Sequence, residues 1–193
     1  MKKLISLLLV LSLQQLAFSQ TWLGRKFPTT VITAQYAGST GFLSFGLSKA
    51  TANNKFEIGL LYGNVPKSLG GVNNSITLKS TLNPFRIRAS KHWMVEPLQT
   101  GLFVSRNFGE HLGPNWSSNY PDGYYWWTRS IRFHFFLGTQ VSYKIEKKHI
   151  DRISAYFETN TNDLYIYSYF PNRNTIRLYD IFFFGAGIKL YIK

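Results

Sequence analysis

The chain has 193 residues, a formal net charge of +13 and 17% aromatic residues. That length predicts a single domain, and the absence of cysteine excludes disulfides, thiolate metal sites and a lipid-modified cysteine anchor. The basic balance points to an anionic surface, but no long Lys/Arg block or nucleic-acid-binding motif accompanies it, so nucleic acid is not an expected partner.

The first stretch, "MKKLISLLLVLSLQQLAFSQ", places Lys2 and Lys3 before the apolar run Leu4 to Leu13 and ends in the small-residue pattern Ala17-Phe18-Ser19. It reads as a secretory signal peptide, residues 1–19, cleaved after Ser19. The apolar run is shorter than the ~20 residues a spanning helix requires. The remaining residues 20–193 read as one domain, and export further argues against nucleic acid.

Eight strands are predicted in chain order: Thr29–Ala37, Gly41–Lys49, Lys55–Val65, Ser75–Ile87, Met94–Phe108, Arg129–Ile145, Ile153–Phe170 and Ile176–Ile192. No segment of useful length has helical periodicity. The sixth strand shows the pattern best. Ile131, Phe133, Phe135, Leu137, Val141 and Tyr143 fall on one face, and Arg132, His134, Gln140, Ser142 and Lys144 on the other. The seventh reverses parity partway, with Ala155 and Phe157 outward at first and Leu164 and Ile166 later, which predicts a bulge near Asn160–Asn162.

A soluble barrel would turn the apolar face inward. Several of these strands run well beyond the ~5–6 residues usual in globular proteins, and a membrane-crossing strand requires ~9–11. Strand length, the export signal and the aromatic excess together favour the opposite sense, with the apolar face toward lipid and the polar face lining the interior. The predicted fold is all-β, an eight-stranded antiparallel up-and-down transmembrane β-barrel.

This pattern resembles the small eight-stranded outer-membrane β-barrel proteins of Gram-negative bacteria. The likeness covers residues 20–193 and is one of architecture, with the closing "IFFFGAGIKLYIK" similar to the terminal strand read by barrel-assembly machinery. That ending departs from the usual aromatic last residue, since Lys193 comes last and Tyr191 is the nearest aromatic. The resemblance implies a multi-pass protein of the bacterial outer membrane in contact with lipopolysaccharide and phospholipid, and open to a periplasmic or outer-membrane protein partner. A cleaved export signal and an even strand count place both termini in the periplasm.

Eight strands leave an interior just wide enough for side chains to fill. Glu57, Lys79, Arg132, His134, Gln140, Glu158 and Lys189 are expected inside as a paired polar network. The turn near Lys148–His149 further predicts Asp163 opposite His134, as an orienting carboxylate. Catalysis requires a nucleophile beside a base. The same-face serines, Ser130 and Ser142, stand roughly 13 and 27 Å from His134 at strand rise.

No catalytic residue, cofactor or metal site is therefore expected. The expected function is a non-enzymatic structural, accessory or surface-interaction component. A lipid-modifying acyl hydrolase or transferase is the alternative, together with an adhesin-like protein using Trp116 and Tyr120 of the long third outer loop. A basic periplasmic collar is expected from Arg86, Arg88, Lys91, Lys144, Lys147, Lys148 and Arg152.

Overall fold

Alternating apolar and polar residues favour strands because successive side chains leave a pleated backbone on opposite sides. The computed structural model describes residues 27–69, 73–109, 130–145 and 147–193. Its strands are β1 (Thr29–Ala37), β2 (Leu43–Ala50), β3 (Phe56–Val65), β4 (Asn73–Leu82), β5 (Ile87–Arg88), β6 (Trp93–Gly109), β7 (Ile131–Lys144), β8 (Ile150–Asn162) and β9 (Phe183–Ile192). β1 pairs with both β2 and β9, β4 pairs with β6, and all pairings are antiparallel. The result is a closed eight-stranded up-and-down barrel, with β5 a two-residue addition beside the start of β6. Closure removes the free sheet edges that would otherwise expose unpaired backbone groups. Residues 1–19, expected to form a signal peptide, and Trp116 and Tyr120, expected in an outer loop, lie outside the described residues.

We call the end carrying Thr29 and Ile192 the near end and the opposite one the far end. Burial along the wall is inverted relative to a water-soluble core. Leu47 is 64% exposed, whereas Glu158 is 1% exposed. Around the barrel Ile32, Leu60, Leu78, Leu102 and Phe135 face out, while Thr33, Ser48, Thr77, Gln140 and Ser154 are buried. Small interior residues make room for large ones. A Cβ added at Gly187 would stand 2.5 Å from the Ala34 carbonyl oxygen and 2.6 Å from Tyr156 Oη, so the Tyr156 ring occupies space that only glycine leaves free.

Four local departures from the sequence expectation have identifiable causes. The predicted strand Ser75–Ile87 breaks after Leu82, just before Pro84, which has no ladder donor to offer. There Asn83 turns inward, its Nδ2 donating to the Asn54 carbonyl at 3.2 Å. In β6 the register shifts between Glu96 and Gln99, a bulge that accommodates Pro97.

The predicted strand through Phe170 stops at Asn162, and α1 (Asp163–Tyr169) follows instead of a bulge. Asn162 caps this helix by accepting from the Tyr165 N–H at 3.0 Å, and Asp163 lies in its first turn, where the helix dipole favours an acid. The last strand begins at Phe183 rather than Ile176, because Leu178–Ile181 form a 3-10 turn whose Asp180 carboxylate accepts from the Arg177 N–H at 3.0 Å.

Candidate functional site

Three polar clusters stack along the barrel interior. At mid-height Lys79 from β4 reaches across to Glu158 on β8, with Nζ 2.7 Å from Oε1 and 2.5 Å from Oε2. Gln35 of β1 completes the site, donating from Nε2 to Glu158 Oε1 at 3.1 Å and accepting the Tyr156 hydroxyl at 2.7 Å. Lys79 Nζ also lies 4.4 Å from the Phe136 ring centre, an arrangement that favours a cation over the ring face. One step toward the near end, Lys189 donates to Glu57 Oε2 at 2.9 Å. Both pairs are withdrawn from water, so each charge depends on its partner.

The near-end cluster centres on Glu96, which is fully buried. Its Oε1 accepts from Arg86 Nε at 3.0 Å and faces Arg152 Nη2 at 3.6 Å. Its Oε2 accepts from Gln140 Nε2 at 2.9 Å and from Ser142 Oγ at 3.0 Å. Arg152 lies over the Tyr191 ring at 3.9 Å. Two residues assigned to the collar, Arg86 and Arg152, thus turn toward an interior carboxylate. The other five, Arg88, Lys91, Lys144, Lys147 and Lys148, are exposed at the near end.

The third cluster floors a far-end cavity of about 490 Å³, whose lining includes Phe42, Leu69, Ser105, Arg132, His134, Asn162, Tyr165 and Phe183. His134 does not meet Asp163. The β7–β8 register sets it opposite Asn162, and Asp163 belongs to α1. The helical turn at Asp163 removes that residue from the ladder, which the bulge reading had kept in it. The polar partner of His134 is Ser105 of β6, with Oγ 3.0 Å from Nε2, and Phe103 stacks on the imidazole with ring centres 4.2 Å apart.

Ser105 and His134 are brought together by the β6–β7 register, in which Ser105 pairs with Arg132 and Phe103 with His134. Sequence spacing gives no sign of this contact, since 28 residues separate Ser105 from His134. The inward parity of Ser105 along β6 was the available signal. Chemically, a hydroxyl hydrogen-bonded to an imidazole is the first element of a nucleophile–base pair. Among the described residues no carboxylate orients the ring, however, and Ser105 has no exposed surface. Asn160 is a second polar neighbour of the imidazole, and its Oδ1 and His134 Nδ1 are both buried. Among the described residues no three His, Asp or Glu side chains gather as metal ligands.

No protein-family model and no curated protein matches this chain.

Proposed function

We propose that this chain is an integral outer-membrane barrel with both termini in the periplasm, acting as a non-enzymatic structural, accessory or surface-interaction component. The observation that carries the reading is the inverted burial of the wall, with Leu47, Leu60, Leu102 and Phe45 exposed around a polar interior. Soluble monomers rarely expose contiguous apolar patches beyond about 300–600 Å², and leaving each such side chain in water forgoes about 1.5–3 kcal/mol. Hydrocarbon removes that penalty. A closed barrel also satisfies its backbone hydrogen bonds internally, as a lipid environment requires.

On this reading the Lys79–Glu158 and Lys189–Glu57 pairs form a polar plug that braces the wall and blocks solute passage. The near-end cations Arg88, Lys91, Lys147 and Lys148 meet phospholipid head groups, and lipopolysaccharide borders the far end. The test is extraction and gel mobility. The protein should resist high salt, require detergent, show mostly β circular dichroism in micelles and run faster on gels before heating than after. A chain that is soluble and monomeric without detergent would overturn the proposal.

The Ser105–His134 contact favours a second reading, a lipid-modifying acyl hydrolase. It predicts fatty-acid release from labelled lipid A or phospholipid that disappears in Ser105→Ala. Equal release by both proteins, or none, removes it.

A further inference from the structure

We propose that a groove on the outer wall, toward the near end, seats one anionic phospholipid, with its phosphate on Lys49 and an acyl chain along Leu47, Leu60 and Leu78. The site rests on the membrane reading above. The groove, about 450 Å³, crosses β1 to β4, and Thr30, Lys49 and Ile58 line it together with those three leucines. Its size is within the ~300–1,000 Å³ usual for sites that hold small molecules.

Ladder register fixes where the ammonium stands. Thr30, Lys49, Ile58 and Ser80 pair in succession across β1 to β4. Ile32, Leu47, Leu60 and Leu78 form the next outward row toward the far end, ~7 Å along the strands. Two hydroxyls share the row of Lys49, and the next row is wholly aliphatic. Lys49 thus stands at the edge of the apolar band, where a lysine lays its stem on apolar surface and holds its charge at the boundary.

Charge selects the occupant. Lys49 Nζ donates to Thr30 Oγ1 at 3.0 Å, and an ammonium has three protons to place. Among the described residues every acid is engaged elsewhere or distant. Glu57, Glu96 and Glu158 hold other cations inside the barrel, and Asp151 holds Lys193 at 2.6 Å. Asp163 and Asp180 lie in the far-end connection between β8 and β9. Thr30 Oγ1, accepting from Lys49, keeps its own proton for a phosphate oxygen. Lys55, exposed at the adjoining β2–β3 turn, adds a second positive charge. A zwitterionic head would bring its own cation to this basic edge, and an anionic head would not.

The test is native mass spectrometry of the barrel, released from detergent micelles after titration with phosphatidylglycerol or phosphatidylcholine of the same chains. One phosphatidylglycerol per barrel should bind about fivefold or more tighter than phosphatidylcholine. Lys49→Gln should abolish that preference. Lys67→Gln, an equal loss of charge in the far-end β3–β4 connection, should retain it. Should Lys49→Gln not fold, Thr30→Val should weaken phosphatidylglycerol about threefold. Equal binding of the two lipids, no saturation at one, unchanged affinity in the folded Lys49 or Thr30 variant, or an equal loss in Lys67→Gln would overturn the site. An inserted barrel without the preference overturns the groove alone, whereas a chain soluble and monomeric without detergent overturns the membrane reading and the groove with it.

Discussion

Replacing Lys79 by Met should destabilise the barrel far more than the loss of one exposed ion pair would. Lys79 and Glu158 are 7% and 1% exposed, and the ammonium lies within 2.7 Å of both carboxylate oxygens. Removing one partner of such a pair leaves an uncompensated buried charge, which costs about 3–5 kcal/mol. Gln35 still donates to Glu158 Oε1 at 3.1 Å, and Met retains most of the lysine volume, so the lower part of that range is expected.

The double variant Lys79→Met/Glu158→Leu removes both charges. It leaves Gln35 satisfied, because its Nε2 also donates to the Ala37 carbonyl at 3.1 Å and its Oε1 accepts from Tyr156 at 2.7 Å. Its stability should return to within ~1 kcal/mol of the parent. The assay is equilibrium urea unfolding in phosphatidylcholine vesicles, read by tryptophan fluorescence and gel mobility. A single-variant loss below ~1 kcal/mol, or losses of the two single variants that simply add in the double, would refute the reasoning.

Three other outcomes follow from the wall, the interior and the near end. Leu102, 61% exposed on the outer face, should tolerate Arg poorly in a bilayer, losing ~2–4 kcal/mol near the midplane; a change within ~0.5 kcal/mol would mean that this face meets water. Gly187→Val should lose at least ~1–3 kcal/mol by unfolding titration, because its side chain enters the space of Tyr156 Oη and the Ala34 carbonyl; adding Tyr156→Ala should recover part of it, and no recovery would refute the packing account. Charge reversal of Lys147 and Lys148 should weaken binding to anionic over zwitterionic vesicles, by about 1 kcal/mol per residue before screening, and unchanged co-sedimentation would remove the collar's proposed role.

Local chemistry determined the wall of this protein. Period two along β1, β3 and β7 assigns Ile32, Leu60 and Phe135 to one face and Thr33, Glu57 and His134 to the other, because a pleated strand allows no other placement. Strand number and the polar character of the interior follow from the same alternation. Only the tertiary structure decided which inward groups meet. Lys79 finds Glu158 across the barrel, and the Ser105–His134 contact depends on β6–β7 register, which a long connection does not specify locally.

The segment after Asn160 was ambiguous for a related reason. Asp163–Tyr169 alternates well enough to extend a strand, and also supports a short capped helix. The ladder decides between them. β9 accompanies β8 only as far as the Asn160–Phe183 pair, so the backbone beyond it has no partner on that side, and a helix satisfies its hydrogen bonds within itself.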